Sequence, residues 1–167
     1  GPWWLIIAGL LIMCFALAYS AGPYPLSHHG LGDIAVIIFF GLVPVVLTWY
    51  LQTSSWVSVG PVVATSLAIG LLAANVLVVN NYRDMEDDAA VGKRTTVVIF
   101  GRKVMSAAYL LSGFIGMSVM IPVWLGMPVW VFAVPLIYLA LHIKTWYSLR
   151  QSAGAAINPL LGRTAMN

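Results

Sequence analysis

Along the chain, five stretches without a formal charge alternate with polar segments, at roughly residues 3–20, 34–51, 57–79, 104–125 and 128–143. Each is near the length of a tilted or slightly short membrane-spanning helix, which needs about 20 apolar residues. The pattern predicts five spans, with connections at 21–33, 52–56, 80–103 and around 124–128, and a polar tail from residue 144. Glycines and prolines inside the runs (Gly41, Pro44, Gly60, Pro61, Pro122, Pro135) would break helices in water but are common in membrane helices, where neighbours re-satisfy the backbone. Small residues such as Gly9, Gly41, Gly70, Gly113 and Gly116 read as helix-packing positions. The expected fold is therefore an all-α, polytopic transmembrane helix bundle. It forms a single domain over 1–167, with no internal repeat or linker.

Composition agrees. Of 167 residues, 61% are hydrophobic and 8% are charged, against about a quarter charged in a soluble domain, so too few charges exist to solvate a globular surface. The net charge of +3 rests on eight scattered basic residues, a poor footprint for nucleic acid. Their distribution says more. With five spans, Arg83, Lys93, Arg94, Arg102, Lys103, Lys144, Arg150 and Arg163 all fall on one side, which the positive-inside rule makes cytoplasmic. Tryptophan and tyrosine near the span ends fit an interfacial belt. The start, Gly1-Pro2-Trp3-Trp4, has no basic stretch before the first apolar run, so that run reads as a span rather than a secretory signal. The single cysteine, Cys14, reads as a small buried filler that forms no intrachain disulfide.

Four of the five acidic residues, Asp84, Glu86, Asp87 and Asp88, lie in NNYRDMEDDAAVGKRT, directly after the third span. If that helix continues past Val79, a step of about 100° per residue puts Asn80, Asp84, Asp87 and Asp88 at about 0°, 40°, 340° and 80°, on one face. Glu86, at about 240°, points away to solvent. Carboxylates one turn apart repel unless a cation is expected between them. Carboxylate and amide oxygens suit Mg²⁺, which joins one or two carboxylates to substrate phosphates. Arg83, Lys93 and Arg94 supply positive charge for a diphosphate. The spacing reads as a Mg²⁺–diphosphate site at the mouth of an apolar bundle, with a lipid diphosphate as partner and an allylic electrophile as product of its ionisation. A solvated acidic loop balanced by its basic neighbours is the plainer alternative.

Asn80-Asn81-Tyr82-Arg83-Asp84, then Asp88, then Gly92-Lys93-Arg94-Thr95 resemble the second aspartate-rich motif of the UbiA superfamily of intramembrane aromatic prenyltransferases. The fuller pattern NNxRDxxxDxxxGKRT points to the branch that prenylates 1,4-dihydroxy-2-naphthoate in menaquinone synthesis. Tyr19-Ser20-Ala21-Gly22-Pro23-Tyr24-Pro25-Leu26, running on to Gly30-Leu31-Gly32-Asp33, is similar to that branch's YTxGPxPLxxxGLG(D/E) loop. The family has about nine spans and an earlier NDxxDxxxD motif, neither of which this chain contains in full, so the resemblance implies a C-terminal portion of the domain. It implies Mg²⁺ held by Asp84 and Asp88 with Asp87 and Asn80, and diphosphate or acceptor contacts from Asn80, Asn81, Arg83, Lys93 and Arg94. Asp33 would orient or deprotonate the aromatic acceptor, with Tyr19 and Tyr24 on the same side. The implied reaction transfers a polyprenyl group from its diphosphate to the naphthoate and releases diphosphate and CO₂ at the cytoplasmic face of a bacterial inner membrane.

On residues alone, Asp33 is an N-cap for a helix starting at Ile34. His28 and His29 lack partners at zinc spacing and read as loop residues; His142 reads as interfacial. Two other functions compete: the same chemistry on a hydroxybenzoate, homogentisate or haem, and a membrane transporter whose acidic patch selects ions. A transporter is expected to hold ionisable groups near the midplane. All thirteen charged residues here fall at boundaries or in loops.

Overall fold

A computed structural model describes residues 2–57 and 59–167; Gly1 and Ser58 lie outside the described residues. Helix α1 (Trp4–Ser20) is followed by a 3₁₀ turn at Leu26–His28, then by α2 (Gly32–Thr53), α3 (Val59–Arg83) and the short α4 (Met85–Ala90). Next come α5 (Thr96–Val119), which runs through one further turn to Trp124, then α6 (Ala133–Gln151) and α7 (Asn158–Met166). No strand is present among the described residues.

Four segments, Gly32–Thr53, Val59–Arg83, Thr96–Trp124 and Val129–Gln151, are long and apolar enough to cross a bilayer, and α1 is a shorter apolar helix of 17 residues. The chain is an integral, multi-pass membrane protein. At about 1.5 Å per residue α1 is roughly 25 Å long, a little under the hydrocarbon thickness. It stops because Ala21 is extended, Gly22 is left-handed and Pro23 and Pro25 follow. In α2 the ladder widens to a π-type stretch over Ile37–Leu42. Pro44 follows immediately and cannot donate to the carbonyl of Phe40.

The polar helix ends depart from the expected spans. The connection expected at 80–103 is mostly helical: α3 runs on to Arg83, and α5 begins at Thr96 rather than 104. Thr95 starts α5 as an N-cap, its Oγ1 accepting from the Val98 N–H at 3.4 Å. Gly101, at φ 77°, interrupts α5. The tail expected from 144 is helical to Gln151 and is followed by α7. In each case the helix outlasts the uncharged run, so apolarity alone does not mark where the element ends.

Helix α3 is the centre, packing against α2, α5 and α7, while α6 joins through α5 and α7. Gly41 and Gly70 meet at the α2–α3 crossing, where a Cβ on Gly41 would come within 2.5 Å of the Gly70 Cα. Gly9 has nothing within 4 Å, so its expected packing role is not realised. His142 is also not interfacial: it is 1% exposed, stacked between Tyr109 and Tyr138, with Nε2 donating to the Tyr109 carbonyl at 3.0 Å. It fits because Gly113 leaves room for its ring.

The hydrophobic core is Val78, Val79, Tyr82, Val97, Met105, Tyr109, Leu149, Ile157 and Leu160. It ties the C-terminal half of α3 and the N-terminal half of α5 to α6 and α7, so the most deeply buried part of the bundle lies toward its charged end. Contacts gather the charged segments there. Arg83 donates to Asn158 Oδ1 at 3.1 Å, and the Arg94 backbone N–H donates to the His28 carbonyl at 2.9 Å. The other end carries the Trp4, Tyr50 and Trp56 cluster.

Candidate active site

Between the loop after α1, the end of α3 and the start of α5 lies a polar pocket of about 250 Å³. Tyr19, Asp33, Asn80, Asn81 and Lys93 line it, together with Thr95 and Thr96. Five residues predicted from two distant motifs therefore share one cavity. Tyr19 also closes the end of an apolar groove of about 400 Å³ lined by Phe15, Ala35, Phe39 and Phe40 of α1 and α2.

The acidic segment stands one contact back from this cavity. α3 ends at Arg83 and the chain bends at Asp84, so the single continuous helix assumed for the face projection is broken. The register survives the bend, because the Asp84 N–H still donates to the Asn80 carbonyl and the Asp88 N–H to the Asp84 carbonyl. Arg83 donates from Nε and Nη2 to the Asp84 carboxylate at 2.5 and 2.7 Å, and from Nη2 to Asn80 Oδ1 at 2.9 Å. Those hydrogen bonds hold the Asp84 carboxyl below the usual carboxylate range.

Asp88 is buried, with Oδ1 accepting from Lys93 Nζ at 3.0 Å and Oδ2 left without a partner. The sharp turn at Gly92, φ 75°, which favours glycine, folds the chain back so that Lys93 reaches both Asp88 and the pocket. Asp87 and Arg94 are exposed and outside the cavity; Arg94 contributes its backbone N–H to His28. Tyr24 is likewise 61% exposed and stacks on His29.

Asp33 is not the N-cap expected of it. α2 starts at Gly32, Asp33 lies in the first turn, and no side chain caps the helix. Its Oδ2 instead accepts the hydroxyl of Thr96, and Oδ1 is buried without a partner.

Two contributors were not predicted. Thr96 is one. The other is Arg102, which donates to both oxygens of Glu86 at 2.7 Å and to the Tyr82 carbonyl at 3.1 and 3.3 Å. It bridges the α3–α4 bend, satisfying a carbonyl freed where α3 ends. Glu86 faces solvent as expected, and the hydrogen bonds from Arg102 draw its carboxyl below its usual range. The only sequence signal for Arg102 was Gly101 beside it; for Thr96 it was adjacency to the GKRT motif.

Oxygen donors fit a hard cation: Asp84, Asp88 and Asn80 are close in register, and Asp88 Oδ2 has an open valence. Among the described residues no three His, Cys, Asp or Glu side chains converge as a closed metal cage. Mg²⁺ does not require one, since it takes one or two carboxylates and completes its shell with water and phosphate.

The family model for the UbiA prenyltransferase family matches residues 1–165. The chain belongs to this family. It is similar to the 1,4-dihydroxy-2-naphthoate octaprenyltransferase of Escherichia coli, 34% identical over 163 residues, covering 96% of this chain and 52% of that protein. The enzyme of that name from Haemophilus influenzae is 45% identical over 93 residues, 56% of this chain and 30% of its own. A 2-carboxy-1,4-naphthoquinone phytyltransferase from Synechocystis is 29% identical over 112 residues, 65% of this chain and 35% of its own. The chain thus spans about half the length of the E. coli relative that it matches almost throughout. No solved structure matches it.

Proposed function

We propose that the protein carries the diphosphate- and acceptor-binding half of a Mg²⁺-dependent prenyltransferase that moves a polyprenyl group onto 1,4-dihydroxy-2-naphthoate. The observation that carries this reading is the polar pocket lined by Asp33, Asn80, Asn81 and Lys93, which meets an apolar groove at Tyr19. A lipid diphosphate has that shape: the isoprenoid tail lies along Phe15, Phe39 and Phe40, and the headgroup rests among Asn80, Asn81, Lys93 and Arg83. The relatives' names support the acceptor, because octaprenyl and phytyl donors differ while a carboxylated naphthalene nucleus is common to both.

Asp84, Asp88 and Asn80 would hold Mg²⁺, which when bound stabilises negative charge on a leaving diphosphate. Lys93 and Arg83, now paired to Asp88 and Asp84, turn toward the phosphates and supply further positive charge. The allylic C–O bond breaks and its electron pair leaves with the diphosphate. Ring electrons of the acceptor form the new C–C bond, and the carboxylate departs as CO₂, returning its bonding pair to the ring. No protein nucleophile is needed. Asp33 takes up an acceptor hydroxyl, and the apolar groove keeps water from the electrophile.

With Mg²⁺, polyprenyl diphosphate and the naphthoate, membranes holding the full-length protein with Asp84→Asn and Asp88→Asn together should form prenylated product at least 10²-fold more slowly, about 3 kcal/mol of transition-state stabilisation. Wild-type rates would overturn the assignment. Arg83, Lys93, Arg94, Arg102 and Lys103 cluster around the pocket end, and the positive-inside rule makes that end cytoplasmic, in a bacterial inner membrane. In a Cys14→Ala background, a cysteine at residue 91 should be labelled only from inside and one at residue 54 only from outside; the opposite pattern reverses the orientation.

A further inference from the structure

Asp33 and Thr96 are 63 residues apart in sequence, yet the Thr96 hydroxyl donates to Asp33 Oδ2. The two neighbouring threonines divide the labour at the start of α5: Thr95 Oγ1 caps the helix by accepting from Val98, which leaves the Thr96 hydroxyl free to reach across to α2. Two further contacts fix the same junction, the Arg94 N–H to the His28 carbonyl and Gly30 packed against the Ile99 side chain. The carboxylate held there has an unusual set of partners. It forms no ion pair among the described residues, its one hydrogen-bond partner is a neutral hydroxyl, and its Oδ1 is buried and bare while the residue lines the polar pocket. Leaving a buried carboxylate oxygen unmatched is costly, and such an atom in a binding pocket calls for a donor that arrives with the ligand.

We propose that Thr96 is a positioning residue for the aromatic acceptor: by occupying Asp33 Oδ2 it aims the bare Oδ1 at the hydroxyl of the incoming ring. This rests on the prenyltransferase reading and assigns within it the contact that selects a phenolic acceptor. A carboxylate with both oxygens free can rotate about its last bond. Thr96 removes that freedom, so that the remaining oxygen is already oriented when the ring enters. Neither Thr96 nor Asp33 is hydrogen-bonded or ion-paired to the Arg83–Asp84 or Lys93–Asp88 pairs, so the two ends of the reaction can be perturbed separately.

Steady-state kinetics on the full-length protein with Thr96→Val and Thr96→Ser tests this. Valine keeps the shape and removes the donor; serine keeps the donor. Thr96→Val should raise the KM for the dihydroxynaphthoate about 10-fold, with the KM for the polyprenyl diphosphate changed less than about two-fold, and Thr96→Ser should restore the acceptor KM to within about two-fold of wild type. An unchanged acceptor KM in Thr96→Val overturns the proposal, as do equal shifts in both constants or a serine variant that behaves like valine. If wild type transfers no prenyl group to this acceptor, the prenyltransferase reading itself fails and the proposal falls with it. An active wild type with an indifferent Thr96→Val sinks the proposal alone.

Discussion

The molecule holds carboxylates in two ways within one small region. Asp84 and Asp88 each sit against a cation, Arg83 and Lys93, on a segment bent away from its helix. Asp33 sits in the first turn of α2 with a threonine hydroxyl for company and one oxygen bare. The first arrangement is charge-balanced, and under the proposed function a divalent cation would replace the ammonium or guanidinium at the carboxylate while the displaced cation moves to the incoming phosphates. The second has nothing to exchange and suits a neutral donor. Under the proposed function, charge compensation would separate a diphosphate end from an acceptor end around a cavity of about 250 Å³.

The difference can be strained from either side. Asp33→Asn should have the largest effect on the acceptor end, lowering kcat/KM for the naphthoate about 100-fold, ~2.7 kcal/mol, because a carboxylate acceptor is replaced by an amide that offers one oxygen already claimed by Thr96. Arg102→Gln should cost less, about 10-fold in kcat, since Arg102 only braces the bend that carries Asp84 by holding Glu86 and the Tyr82 carbonyl. Its signature is a weaker apparent affinity for Mg²⁺ with an unchanged acceptor KM, read from the Mg²⁺ dependence of product formation. If Arg102→Gln instead raised the acceptor KM, the two ends would not be independent.

Much of this was legible beforehand, for identifiable reasons. Apolar runs gave the spans because the bilayer demands them. The clustering of Asp84 and Asp88 with basic neighbours in one motif is matched in the structure by the Arg83–Asp84 and Lys93–Asp88 ion pairs, while the hard cation belongs to the proposed function. The helix ends differ from expectation where helical turns continue past the uncharged runs, as from Asn80 to Arg83 and from Thr96 to Lys103. Of the four side chains expected on one face, Asn80 lines the pocket, Asp84 is held by Arg83, Asp88 is buried beside Lys93, and Asp87 is exposed outside it, although the backbone register continues across the bend. What lay outside reach was tertiary. The Thr96–Asp33 and Arg102–Glu86 contacts join residues 63 and 16 positions apart, and neither follows from local pattern. His142 was misread for the same reason: nearness to Lys144 suggested an interface, but the gap at Gly113 on another helix decides its burial.

Paired Michaelis constants for the single variants Asp33→Asn and Asp88→Asn in the full-length protein test whether the two ends act separately. Asp33→Asn should raise the KM for the naphthoate alone, and Asp88→Asn should raise the KM for the polyprenyl diphosphate and the Mg²⁺ requirement alone. Both variants shifting both constants in parallel would contradict that separation.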